Sequence, residues 1–160
     1  MKRWWIGLTL AMLASAAMAA NYEVSVTRDG SNLYRADGRD LLIHTRYCYE
    51  YVYYEDALLR MWGSSGEIIF LDSGGKCDVT GVYARNDQSA GRYTVTVSHE
   101  DDDWYEVWGT DIYIKTEMCL SLALGQEALL RLNAYGGGNL VFLDDGDSCM
   151  VDSVYSKLSL

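Results

Sequence analysis

The sequence predicts an all-β protein: an internally duplicated antiparallel meander, folded as two small barrel- or sandwich-like units packed closely, with one disulfide per unit. Three observations carry this. Short Val-, Ile-, Tyr- and Thr-rich stretches are separated by Gly, Asp, Asn and Ser, with no segment of helical spacing. The chain repeats itself. Four cysteines fall in matched positions of the two copies.

The repeat is direct. A shift of 71 residues lays Tyr22, Val24, Val26, Tyr34, Gly38, Asp40, Ile43, Thr45 and Cys48 on Tyr93, Val95, Val97, Tyr105, Gly109, Asp111, Ile114, Thr116 and Cys119. The same shift carries Ala57-Leu58-Leu59-Arg60 onto Ala128-Leu129-Leu130-Arg131. One extra residue in a Gly-rich turn makes the shift 72, and Phe70-Leu71-Asp72, Gly74, Cys77, Val79 and Val82-Tyr83 then meet Phe142-Leu143-Asp144, Gly146, Cys149, Val151 and Val154-Tyr155. The organisation expected is residues 1–19 as a signal peptide, 20–90 as the first β repeat and 91–160 as the second.

Residues 1–19 combine Lys2 and Arg3, an apolar run from Trp4 to Leu13, and the small-residue ending Ala17-Met18-Ala19, as a cleavable secretory leader does. The apolar run falls short of the roughly 20 residues that span a bilayer. Cleavage near Ala19 leaves no cysteine at the new terminus to lipidate, so no membrane anchor is expected and the localisation is periplasmic or secreted. In an exporting context an even number of cysteines argues for disulfides. Self-contained repeats require Cys48 with Cys77 and Cys119 with Cys149. None of the four has the close CxxC or CxxH spacing of a zinc site.

Strands are expected near 22–28, 32–36, 40–54, 57–63, 67–72 and 78–85, and again near 93–98, 104–108, 111–124, 128–133, 139–144 and 150–156. Proline is absent, so turns rest on residues that accept positive φ: RDGS (28–31), GSSG (63–66), DSGG (72–75), AYGGG (134–138) and DDGD (144–147). The link NDQSAG (86–91) is short and polar, which favours contact between the halves over a tether.

Tyr47, Tyr49, Tyr51 and Tyr53 alternate strictly along 46–60, and the second copy has Met118, Leu120, Leu122 and Leu124 there. An aliphatic face belongs in a core, so the tyrosines are expected to be largely buried, their hydroxyls reaching the sheet rim or an inter-copy seam. The alternative is an exposed stacking platform, as for sugar rings.

Function is less legible. The net charge of −10 becomes −12 once Lys2 and Arg3 leave with the leader, a sign that repels nucleic acid and favours a basic protein partner. The densest acidic cluster, Glu100, Asp101, Asp102, Asp103 and Trp104, replaces the plain turn DGSN (29–32) of the first copy, which marks it as a loop decoration: a solvated acidic turn first, with docking of a basic partner or weak calcium binding as the functional alternatives. Glu50 and Tyr54 complete the candidate binding set. His44 stands where the second copy has Lys115 and is expected to face outward, and His99 closes a strand ahead of the acidic cluster. No catalytic residue, metal site or cofactor is expected: no phosphate loop, HExxH or basic aromatic stripe occurs. The expectation is an exported non-enzymatic binding protein, in the manner of an inhibitor or immunity-type partner of a basic protein. A carbohydrate or envelope-glycan module comes second and a hydrolase third.

Overall fold

A computed structural model describes residues 18–160, so the leader expected over 1–19 lies outside the described residues but for its last two. Twelve antiparallel strands follow in chain order. The first copy contributes β1 (Ala20–Gly30), β2 (Leu33–Ala36), β3 (Leu41–Arg46), β4 (Glu55–Trp62), β5 (Ser65–Phe70) and β6 (Lys76–Arg85). The second contributes β7 (Gly91–Asp101), β8 (Trp104–Val107), β9 (Ile112–Glu117), β10 (Gln126–Leu132), β11 (Gly138–Phe142) and β12 (Ser148–Lys157). There is no helix among the described residues.

The order β6-β3-β2-β1-β4-β5 is closed by a β5–β6 pairing, and β12-β9-β8-β7-β10-β11 is closed by β11–β12, so each copy is a six-stranded barrel. Closure disposes of the edge strands that an open six-stranded meander would expose. Each barrel has its own core, and the cores match. Val26, Tyr34, Ile43, Ala57, Leu59 and Phe70 fill the first. Val97, Tyr105, Ile114, Ala128, Leu130 and Phe142 fill the second from equivalent positions. The disulfides Cys48–Cys77 and Cys119–Cys149 each close one barrel, across 29 and 30 residues. Each contributes about 3.5 kcal/mol on the chain-entropy account. Both accord with an oxidising environment.

The barrels meet as an internal pseudo-dimer. β6 pairs with β12 through Tyr83↔Lys157, Ala84↔Ser156 and Arg85↔Tyr155. Because Tyr83, Ala84 and Arg85 are the repeat equivalents of Tyr155, Ser156 and Lys157, this pairing is symmetric about Ala84 and Ser156. Asn86 N–H donates to the Val154 carbonyl and Leu158 N–H to that of Val82, both at 2.8 Å, again one contact made twice. The seam between barrels is a third cluster: Leu33 with Trp104, Leu42 with Tyr113, and Tyr83 with Tyr155. These are three pairs of repeat equivalents, the arrangement of an isologous interface, in which the same patch of each partner meets the other. The short link is bound to that seam, since Asn86 Nδ2 donates to Ser156 Oγ at 2.6 Å.

The two long strands expected over 40–54 and 111–124 end early. β3 stops at Arg46 and β9 at Glu117; the chain through 47–54 and 118–125 is not a strand. Tyr47 and Met118, at φ 50° and 49°, turn the backbone through the left-handed region. Ile43 and Thr45 point inward in β3, but beyond Tyr47 the parity inverts: Cys48 and Val52 are buried, while Tyr51 is 83% exposed and Leu120 93%. The expectation that the tyrosines are buried is therefore wrong. The half-cystine decides it, because a sulfur bridging to β6 must point inward and forces its neighbours out.

Candidate functional site

The two segments after β3 and β9 are exposed but not loose. Asn32 Oδ1 accepts the Cys48 N–H at 2.9 Å, and Asp103 Oδ1 accepts that of Cys119 at 2.7 Å. In the middle, Tyr34 Oη donates to the Glu50 carbonyl at 2.8 Å and Tyr105 Oη to that of Ser121 at 2.5 Å. Further on, Arg28 N–H donates to the Val52 carbonyl and His99 N–H to that of Ala123. At the far end Thr27 Oγ1 accepts the Tyr54 N–H at 3.1 Å, and Ser98 Oγ accepts that of Gly125 at 2.9 Å. Held at four places and by a disulfide, each segment presents its outer row in a fixed register: five tyrosines on one, Met118, Leu120, Leu122 and Leu124 on the other. Tyr53 and Tyr54 meet edge to face at 4.5 Å, and the Arg28 guanidinium lies 4.0 Å from the centroid of Tyr51.

Both segments start on one face, beside the paired turns β1–β2 and β7–β8. Asn32 Nδ2 donates to Asp101 Oδ2 at 2.8 Å, joining the turns across the seam. Tyr47 borders a cleft that also holds Glu100 and Asp101, and Met118 borders a groove with Asp102 and Asp103. The acidic cluster thus stands between the roots of the two apolar rows.

That cluster is not the free decoration expected of it. Trp104 is 1% exposed and belongs to the seam, so it is no surface contact. Asp103 holds the Cys119 N–H and Asp101 holds Asn32. Asp102 forms the tip at φ 38°, its carbonyl 2.6 Å from His99 Nε2. Only Glu100 and Asp102 turn exposed carboxylates outward. Among the described residues no three His, Cys, Asp or Glu side chains gather as metal ligands would. Glu50 is half-buried against Gly75, and its carbonyl serves the anchor, while Tyr54 is exposed at the far end of its row.

His44 departs from expectation too. It points away from its own barrel, but into the seam, where its side chain is 14% exposed. Its Nδ1 lies 2.6 Å from Thr80 Oγ1 and its ring stacks on Trp104 at 6.5 Å between centroids. Burial pushes its pKa down, and Asp101, 3.4 Å from Nε2, counters this only in part.

His44, Thr80, Tyr83, Trp104, Tyr113 and Glu100 line a cleft of about 380 Å³ on one side of the seam. A second cleft, of about 290 Å³, lies among their repeat equivalents, with Lys115 at the place of His44 and Asp152 at that of Thr80. In the second the charges are paired: Lys115 Nζ sits 3.1 Å from Asp29 and 3.5 Å from Asp152, and Arg35 lies 3.2 Å from Asp29. Burial opposes the charge of Lys115, yet Asp29 and Asp152 hold its pKa above the ordinary lysine value. In the first cleft burial pushes the Glu100 carboxyl up, and Glu106 beside it adds to the effect. Sequence reasoning missed Thr80, Tyr83, Glu106 and Tyr113; comparing charges between repeats at shift 71 or 72 would have flagged Glu106 against Arg35 and Thr80 against Asp152.

No family model, curated protein or solved structure matches the chain. The site therefore rests on its own geometry: two pinned apolar rows, one on each barrel, whose roots meet at an acidic double turn.

Proposed function

We propose that this chain is an exported, non-enzymatic binding protein, periplasmic or secreted, that holds a basic protein on the face carrying residues 47–54 and 118–124. One observation carries the reading: nine large apolar side chains stand exposed on two segments that the fold pins at every second residue. Contiguous exposed apolar surface marks interaction sites, and fixing it in advance removes the ordering cost from association. Tyrosine and methionine are enriched at protein interfaces. The outward carboxylates of Glu100 and Asp102 and the net charge of −10 supply the preference for a basic partner.

The tyrosine row also supports a second reading, stacking against the rings of an envelope glycan. The companion row favours protein, since Leu120, Leu122 and Leu124 have no aromatic faces for sugars. The test is capture from the envelope fraction of the producing cell at two salt concentrations, with the natural chain and with Tyr49, Tyr51, Leu120 and Leu122 all replaced by Ser. A basic protein held by the first and not by the equally folded second, and released by salt, is expected. Equal capture by both chains would overturn the assignment; retention of glycan instead of protein would select the second reading.

A further inference from the structure

The duplication supplies an internal comparison. At four matched positions the charge-paired cleft has Asp29, Arg35, Lys115 and Asp152, two anions and two cations, while the other has Glu100, His44 and Thr80 in its lining and Glu106 beside Glu100. Glu100 keeps the carboxylate of Asp29, but both cations are gone: Lys115 has become His44, and Arg35 has become a second carboxylate, Glu106. Among the described residues neither Glu100 nor Glu106 forms an ion pair, although Lys157 and Arg46 stand nearby.

A second, independent observation points the same way. Among the described residues, two buried side-chain polar atoms have no hydrogen-bond partner, His44 Nε2 and Trp104 Nε1, and both residues line this cleft. The hydrogen-bond network assigns the histidine tautomer. Thr80 Oγ1 donates its proton to the His44 carbonyl at 3.2 Å, so it accepts from Nδ1–H. Nε2 is then a lone pair, 3.4 Å from Asp101 Oδ2, which is also an acceptor. Two facing acceptors call for a donor between them, and orphaned buried groups of this kind require an explanation. In the sibling cleft Lys115, at the place of His44, supplies the donor itself and gives it to Asp29 and Asp152.

We infer that the cleft lined by His44, Asp101, Glu100 and Trp104 receives a basic side chain, the guanidinium or ammonium end of an arginine or lysine of the bound partner. Its N–H groups meet Nε2 and Asp101, its charge faces Glu100 with Glu106 beside it, and its alkyl stem runs over the half-buried Tyr113, whose ring stacks 5.5 Å from Trp104. This rests on the proposed docking of a basic protein, but small probes test it separately.

The probe is N-acetyl-arginine N-methylamide, with the lysine compound and the neutral citrulline compound as arms, followed through the indole N–H resonance of Trp104 and the ring nitrogens of His44. Saturable shifts with the two cations and none with citrulline are expected. E106R, which restores the residue of the sibling cleft, and E100Q/E106Q, which adds no bulk, should each weaken probe binding about tenfold or more. The four-serine variant of the apolar rows should bind the probe as the natural chain does, which separates failure of the cleft from failure of the docking face. Absence of saturable shifts, equal response to citrulline, or unchanged affinity in folded E100Q/E106Q would overturn the assignment.

Discussion

The Tyr34 hydroxyl, at the centre of the first barrel, donates to the carbonyl of Glu50 at 2.8 Å and touches Cys48 Sγ at 3.1 Å. Tyr105 repeats both contacts in the second barrel, at 2.5 and 3.0 Å. Both phenols have raised pKa values, that of Tyr105 pushed up to about 12, because burial penalises the phenolate. As neutral donors they tie each core to the backbone of the exposed segment above it.

Replacing either tyrosine by Phe removes that donor and leaves a carbonyl without its partner, at a cost of roughly 1–2 kcal/mol per site. Denaturant unfolding measures the loss. Hydrogen exchange should rise in residues 47–54 for Y34F and in 118–125 for Y105F, each confined to its own barrel.

Y49A/Y51A changes side chains that stand 75% and 83% exposed, so the midpoint of unfolding should move by no more than ~0.5 kcal/mol per site. Capture of the partner should fall in the same variant. A loss of several kcal/mol, the magnitude of buried aromatics, would return these residues to the core.

Trp104→Ala opens the seam and should cost about 3–5 kcal/mol, whereas Leu33→Ala at the equivalent position should cost about 2–5 kcal/mol. Both are read by thermal or denaturant unfolding. Because Trp104 stacks with His44 and Tyr113 as well as packing on Tyr83 and Tyr155, the tryptophan variant should be the more damaging of the two.

Two groups should bend the pH profile of stability in opposite senses. His44 has its folded pKa lowered, so the unfolded chain binds more protons as pH falls below about 6.5, and stability is lost through that window. H44Q should flatten the profile there. Glu100 has its folded pKa raised, so the folded chain keeps its proton longer, and stability declines as pH rises above the ordinary glutamate range. E100Q should remove that decline. Unfolding midpoints measured from pH 4 to 8 on the three chains check both signs.

Much of the architecture could be read before any coordinates. Core residues such as Val26 and Val97, or Phe70 and Phe142, announced themselves by recurring at one spacing, and self-contained repeats left a single disulfide pairing. The alternation of Tyr47 to Tyr53 was read correctly as period two but assigned to the wrong side. Periodicity is blind to which face is inward, and a single left-handed residue, Tyr47 or Met118, reverses the parity without altering the pattern. Trp104 was misplaced because four acids precede it, although its equivalent, Leu33, is plainly apolar.

Local chemistry and the repeat thus settled the all-β class, most of the strands and turns, and the sulfur bridges, because each depends on residues near in sequence or on matched copies. The symmetric joining of β6 to β12, the burial of Trp104 and the meeting of His44 with Asp101 depend on how two finished barrels dock. Those contacts lie between the repeats, 57 positions apart for His44 and Asp101, and only packing in three dimensions selects them.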